Sequence, residues 1–144
     1  MGKIVQADTF HGQTMFLNWR AYHSSQYAKY VMYDTGMSTN LTYPYATIIP
    51  PFKGCVNKIS IVNNPYSSYT SGPTGQWAYM YVEVNGTEVA SQQQYYGSNV
   101  PGQVITFDFA ETVTFNAEDK VQLYFLSNGI WRYCNVGIQL MSIV

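Results

Sequence analysis

Trp77-Ala78-Tyr79-Met80-Tyr81-Val82-Glu83-Val84-Asn85-Gly86-Thr87-Glu88-Val89-Ala90-Ser91-Gln92 decides the fold class. Two runs of strand-forming residues flank Asn85-Gly86, the pair that best fits a type I′ hairpin turn because both central residues need positive φ. A two-residue loop sets the register: Val84 opposite Thr87, Val82 opposite Val89 and Met80 opposite Ser91. That face reads as core. The other face carries Trp77, Tyr79, Tyr81 and Glu83, too aromatic for open water and too polar for a plain core, which suits a subunit interface or a second layer. The same register sets Glu83 opposite Glu88, a like-charge pair that is unfavourable by a few tenths to about 1 kcal/mol. A partner's cation or a bound ion would relieve it, and so would splaying into solvent.

Working outward, the strand signal continues on both sides. Cys55–Val62 alternates, with Ile59 and Ile61 on one face and Lys58 and Ser60 on the other. Val104–Phe109 points Ile105, Phe107 and Phe109 inward, and Val113 and Phe115 extend that set. After the polar turn 116–119, Val121, Leu123 and Phe125 point inward and Gln122 and Tyr124 outward. Asn128-Gly129 reads as a second hairpin turn, and Cys134, Val136, Ile138 and Leu140 mark the core face of the last strand. Tyr45–Ile49 reads as a short strand stopped by Pro50-Pro51. Residues 26–34 fit helix or strand spacing, with their tyrosines and valine favouring a strand. Short strands separated by turn signals indicate an antiparallel sandwich or barrel. The expected organisation is an N-terminal arm or first strand over 1–24, then an all-β sandwich over 25–144.

Composition narrows the function. The chain has 144 residues, 47% of them hydrophobic, which fits one domain able to bury its own core. Charged residues make up 10%, against about 25% in ordinary soluble domains. The formal net charge of -1 gives no field to hold duplex nucleic acid or anionic lipid. A near-neutral surface protects little against association, so a homo-oligomer or a part of a larger assembly is expected. The first residues lack the apolar stretch of a secretory signal, and no apolar run is long enough for a membrane span.

The usual chemistry-bearing patterns are missing. His11 and His23 lie in the irregular first part, and no H-E-x-x-H, P-loop, G-x-S-x-G or C-x-x-C occurs. A glycosidase needs two carboxylates about 5–9.5 Å apart in a cleft, and the one close pair expected, Glu83 and Glu88, lies on a flat hairpin. Cys55 and Cys134 read as two buried free thiols, since a disulfide would need Cα atoms within about 7 Å. No enzyme activity, cofactor or metal is expected.

Aromatic residues remain as the unusual resource, with 14 Tyr, 7 Phe and 3 Trp. Tyrosine offers large contact area at low entropy cost, with a hydroxyl for hydrogen bonding. Tyr66 and Tyr69 in the long turn-rich stretch 63–75, Tyr95 and Tyr96 before Gly97, and Trp131 are candidate contacts to a partner or a glycan. Half-burial at subunit contacts or at the sandwich edge is the alternative for each. Phe10, Phe16, Trp19 and Tyr22 in the first segment are candidate attachment anchors, or else the core side chains of a first strand.

Three stretches carry a resemblance: Val82-Glu83-Val84-Asn85-Gly86-Thr87-Glu88-Val89, Val113-Thr114-Phe115-Asn116-Ala117-Glu118-Asp119-Lys120-Val121-Gln122-Leu123-Tyr124, and Asn135-Val136-Gly137-Ile138-Gln139-Leu140. Together, over roughly 77–144, they resemble the small β-jelly-roll modules of tailed-bacteriophage virion proteins, found in head decorations, fibres and tail knobs. The second stretch is also similar to trimeric C1q-like and TNF-like heads, although Glu118 stands where those carry Gly before the Asp. The resemblance implies a jelly roll, a homotrimer, location on a virion and no catalysis. Its partners would be its own copies and other virion proteins, as an accessory decoration or cement protein of capsid or tail. The alternative is a tail-fibre knob that binds host-surface glycan. It supplies no site residues.

Overall fold

A computed structural model describes residues 14–21, 27–34, 36–38, 40–41, 44–63, 75–97, 102–129, 131 and 134–143. The described residues form strands β1 (Thr14–Ala21), β2 (Tyr30–Tyr33), β3 (Gly36–Ser38), β4 (Gly54–Asn63), β5 (Gln76–Val84), β6 (Thr87–Gly97), β7 (Val104–Phe115), β8 (Val121–Ser127) and β9 (Cys134–Ser142), with one 3-10 turn at Pro44–Ala46. They build two antiparallel sheets, ordered β1-β9-β4-β7 and β3-β2-β8-β5-β6. Apart from β3, which folds back on β2, this crossing of the chain between two sheets is the jelly-roll order.

The sheets pack through the alternating apolar positions. Ile59, Ile61, Phe107, Val136, Ile138 and Leu140 of one sheet meet Met80, Val82, Leu123 and Phe125 of the other, all almost wholly buried. Alternation puts every second residue outward, so each sheet also has an outer face, and these two faces differ. The chain crosses between sheets at one end after β1, β4, β6 and β8, which gathers those connections at a single end of the sandwich.

The Asn85-Gly86 turn forms as expected, with φ of 53° and 83°. Val84 faces Thr87 and Glu83 faces Glu88, but beyond them the register slips, so Val82 faces Ala90 and Met80 faces Gln92. A bulge at Val89 accommodates the slip and leaves that side chain 49% exposed. A second slip near the far end sets Trp77 opposite Tyr95 and Gln76 opposite Gly97, so Tyr96 is the extra residue there. A bulge re-aims a side chain, and this one turns Tyr96 toward the interior while Tyr95 stays outside.

Two further expectations change, and the first segment takes one of its two readings. Asn128-Gly129 does not close a hairpin, because β8 pairs β2 and β5 whereas β9 pairs β1 and β4. Asn128 instead accepts the Trp77 N–H through Oδ1 at 2.8 Å, tying the crossing to β5. Residues 45–49 are no strand: Tyr45 lies in the 3-10 turn, and only Ile48 bridges to Val121. Residues 14–21 of the first segment are the edge strand β1, paired along its length with β9. Cys55 and Cys134 are both free and buried. Cys55 pairs with Met141, seven residues along β9 from Cys134, so about 23 Å separates them at strand rise.

Candidate functional site: an aromatic sheet face

The outer face of the five-stranded sheet carries a continuous row of rings. Trp77, Tyr79 and Tyr81 come from alternate positions of β5, where the strand period puts them on one side. Trp77 and Tyr79 meet edge to face with centroids 5.5 Å apart, and Tyr79 stacks beside Tyr81 at 5.7 Å. Tyr27 extends the row from the crossing before β2, edge to face with Trp77 at 6.1 Å. Its backbone takes a φ of 58° and its N–H bonds the Ser127 carbonyl at 2.8 Å, which holds the ring there. Tyr95, directly across from Trp77 on β6, adds a ring that is 72% exposed, and Tyr27 is 62% exposed.

One cation sits inside this face. The Lys29 Nζ lies 4.5 Å from the centroid of Tyr81 and 4.8 Å from that of Tyr124, its cross-strand neighbour on β8. Contacts of this kind are each worth about 0.5–2 kcal/mol, more where water is excluded. Beneath, Val31, Ala46 and Tyr124 form a small buried cluster on the outer side of the sheet, with Tyr33 and Tyr81 against it. Tyr124, expected to face outward, does so but is covered by the segment around the 3-10 turn. Its hydroxyl has acceptors in Gln122 Oε1 at 3.1 Å, the Leu41 carbonyl at 3.4 Å and the Glu83 carboxylate. Burial, then the Glu83 charge and that hydrogen bond, push its pKa up to about 12. The Tyr81 phenol is pushed up as well, first by burial and then by Tyr79 and the Glu88 charge. The Tyr81 and Tyr124 phenols are therefore held in their neutral form as amphipathic contacts.

The row ends at Glu83, opposite Glu88 as expected. Among the described residues no group of three or more His, Cys, Asp or Glu gathers to hold a metal ion. No helix among them is long and apolar enough to cross a membrane.

The structure spreads the sequence-derived contact residues over three places. Tyr95 joins the aromatic face. Tyr96 and Trp131 belong to a polar chain inside the loop end of the sandwich. Trp131 is fully buried against Phe125 and Tyr96, so its ring is a core wedge and offers no stacking platform. Its Nε1–H donates to the Tyr96 hydroxyl at 2.8 Å, and that hydroxyl lies 2.8 Å from Ser127 Oγ. On β1, Phe16 is 67% exposed on the outer face of the other sheet, whereas Trp19 is turned into the core at 9% exposure. Tyr66, Tyr69, Phe10 and Tyr22 lie outside the described residues. Tyr27 and Lys29 are missed by sequence reasoning, since they precede β2 in a stretch with no settled period. The alternation of Trp77, Tyr79 and Tyr81 is the signal that does find the face.

No protein-family model matches this chain, and no curated protein matches it in sequence.

Proposed function

We propose that the chain is a non-enzymatic jelly-roll building block that assembles with further copies of itself through the aromatic outer face of its five-stranded sheet. The observation that carries this is the half-open row Tyr27–Trp77–Tyr79–Tyr81 with Tyr95 beside it. Contiguous apolar patches on a soluble chain mark interaction sites, and tyrosine and tryptophan dominate the energetic centres of interfaces. Aromatic side chains bury about 150–250 Å² each, so five half-open rings supply roughly 500 Å² of the ~800 Å² that a standard interface takes from each partner. Leu41 and Tyr45, both exposed beside the same face, extend it.

Charge favours a copy of the chain as the occupant. With a net charge of -1 two copies repel little, and the face holds Lys29 over Tyr81 and the Glu83–Glu88 pair at its end. A second copy can bring its own Lys29 toward the carboxylates that stand unfavourably opposed within one chain. By its resemblance the assembly is a homotrimer, and its setting is a tailed-phage virion, where the module decorates or cements capsid or tail alongside other virion proteins. Co-sedimentation with particles lacking the protein tests that setting. Wild-type chain should pellet with the particles and a Trp77→Ser/Tyr79→Ser double variant should not; equal pelleting of both would count against the face, and pelleting of neither against the virion role. A glycan-binding knob is the second reading, favoured by the exposed Tyr95 ring, and a glycan array that lights up only with Tyr95 intact would support it.

A further inference from the structure

The outer face of the four-stranded sheet is built differently, and we infer that it holds a binding site for a carboxylate-bearing sugar, a sialic or uronic acid, at Arg20, Asn18 and Asn135 beside Gly137. This site is independent of the aromatic face, which lies on the opposite side of the sandwich.

Register sets out the surroundings. One row across the sheet reads Asn18, Gly137, Ser60, Thr106; the next, toward the loop end, reads Arg20, Asn135, Val62, Val104. Gly137 interrupts the layer of side chains. A Cβ placed there would meet only the Asn18 Oδ1, at 3.8 Å, an ordinary van der Waals contact. Beside it lies an open dish of ≈ 430 Å³, lined by Asn18, Trp19, Arg20 and Asn135. That volume falls within the roughly 300–1,000 Å³ of small-molecule sites.

The polar groups around the dish divide into two sets. Farther across the sheet they satisfy one another: Ser60 Oγ lies 2.9 Å from Thr106 Oγ1, Asn57 Nδ2 donates to Gln139 Oε1 at 2.9 Å, and Lys58 stands 4.0 Å from Asp108. At the dish, the side chains of Arg20, Asn18 and Asn135 make no hydrogen bond or ion pair to the described residues. Neither row contains a carboxylate, so among the described residues no carboxylate stands beside Arg20 at the dish. The guanidinium's planar fork of N–H donors matches a carboxylate through two parallel hydrogen bonds. Each asparagine amide offers both donors and an acceptor, which is what ring hydroxyls and an acetamido group require. Phe16, 67% exposed two residues back on the same side of β1, adds an apolar contact for a sugar ring. A bare anion would use Arg20 alone; the two amides beside it argue for the sugar.

The test titrates the full chain, followed by its amide NMR spectrum, with N-acetylneuraminic acid and glucuronic acid. Their methyl esters and acetate serve as controls. Both acids, or one of them, should shift the Gly137, Asn18 and Asn135 signals. A charge-assisted hydrogen bond contributes about 1.5–3 kcal/mol, so the matching ester, and Arg20→Gln with the acid, should bind about tenfold more weakly or worse. Asn135→Leu, at the lining of the dish, should weaken binding as well; should that variant not fold, the exposed Arg20→Gln decides alone. The inference is overturned if acetate binds as tightly as the acids, if the esters do, if Arg20→Gln leaves affinity unchanged, or if no signal around Gly137 moves at about 20 mM sugar, a concentration that detects even affinities of a few kcal/mol. Tyr79→Ser should leave these shifts intact, which separates failure here from failure of the assembly face.

Discussion

Replacing Tyr96 by phenylalanine removes one oxygen from a chain of hydrogen bonds whose direction the structure determines. The indole Nε1–H of Trp131 can only donate, so the Tyr96 hydroxyl accepts it. Ser127 Oγ donates its own hydrogen to the Trp77 carbonyl at 2.8 Å and accepts the Gly129 N–H at 3.0 Å. The Tyr96 hydrogen therefore goes to Ser127 Oγ. In Tyr96→Phe the Trp131 N–H, on a fully buried residue, loses its acceptor, while Ser127 keeps two of its bonds. A buried donor left unsatisfied costs about 1–3 kcal/mol. At roughly 3–4 °C per kcal/mol for a chain of this length, the melting midpoint should fall by about 3–12 °C. Urea unfolding followed by circular dichroism measures this directly. Tyr95→Phe, one residue away but outward on the sheet, is the control and should stay within about 0.5 kcal/mol of wild type. If the two variants are indistinguishable, Trp131 and Tyr96 do not form the internal strut described here, and Trp131 returns as a surface contact.

Alkaline pH should unfold the chain early. Tyr124, with its pKa pushed up from the ordinary 10.0 to about 12, is favoured in its neutral form by the fold, so its contribution is complete below pH 10 and is lost as pH rises toward 12. Melting midpoints should be level near neutrality and decline from pH 10 to 12, less steeply in Tyr124→Phe; a level midpoint through pH 12 would contradict the buried hydroxyl. Burial raises both thiols, that of Cys55 helped by the Glu111 charge, so a disulfide-forming chromogenic reagent should titrate Cys55 and Cys134 only after denaturant is added, and fast native reaction would refute their burial. Glu88→Gln removes the like-charge opposition to Glu83 and should stabilise the free chain by a few tenths to about 1 kcal/mol, measured by urea unfolding; a loss of stability would mean that the pair is already compensated within one chain.

Much of the sandwich is legible because its core strands obey a two-residue period. Ile59 and Ile61, Ile105 and Phe107, Leu123 and Phe125, and Val136 and Ile138 all face inward as their spacing requires. Asn85-Gly86 is legible because its turn type has strict backbone demands. The bulge at Val89 is not, since it inserts one residue without any Gly or Pro to mark it and moves every later side chain by one; the bulge at Tyr96 has only Gly97, with φ of 79°, as its sign. Asn128-Gly129 misleads because the same dipeptide that closes a hairpin can also cross between sheets; there Asn128 acts through its side-chain oxygen and Gly129 fits closely against Gln76 and Tyr96. The aromatic face is half legible. Trp77, Tyr79 and Tyr81 alternate on one strand, whereas Tyr27 and Lys29 reach it from a segment whose position depends on long-range contacts. The dish at Arg20 and Asn135 is invisible in sequence, because it arises where β1 and β9, far apart in the chain, meet in register.

Sedimentation equilibrium of the full chain at micromolar concentration, beside its Tyr79→Arg variant, tests the assembly face most directly. Tyr79 lies mid-row with its ring between Trp77 and Tyr81, and an added cation there leaves the core of the sandwich untouched. The wild type should sediment as an oligomer, a trimer by its resemblance, and Tyr79→Arg, folded by circular dichroism, should sediment at the monomer mass of 16.3 kDa. A monomeric wild type, or a folded variant that keeps the oligomeric mass, would contradict assembly through this face.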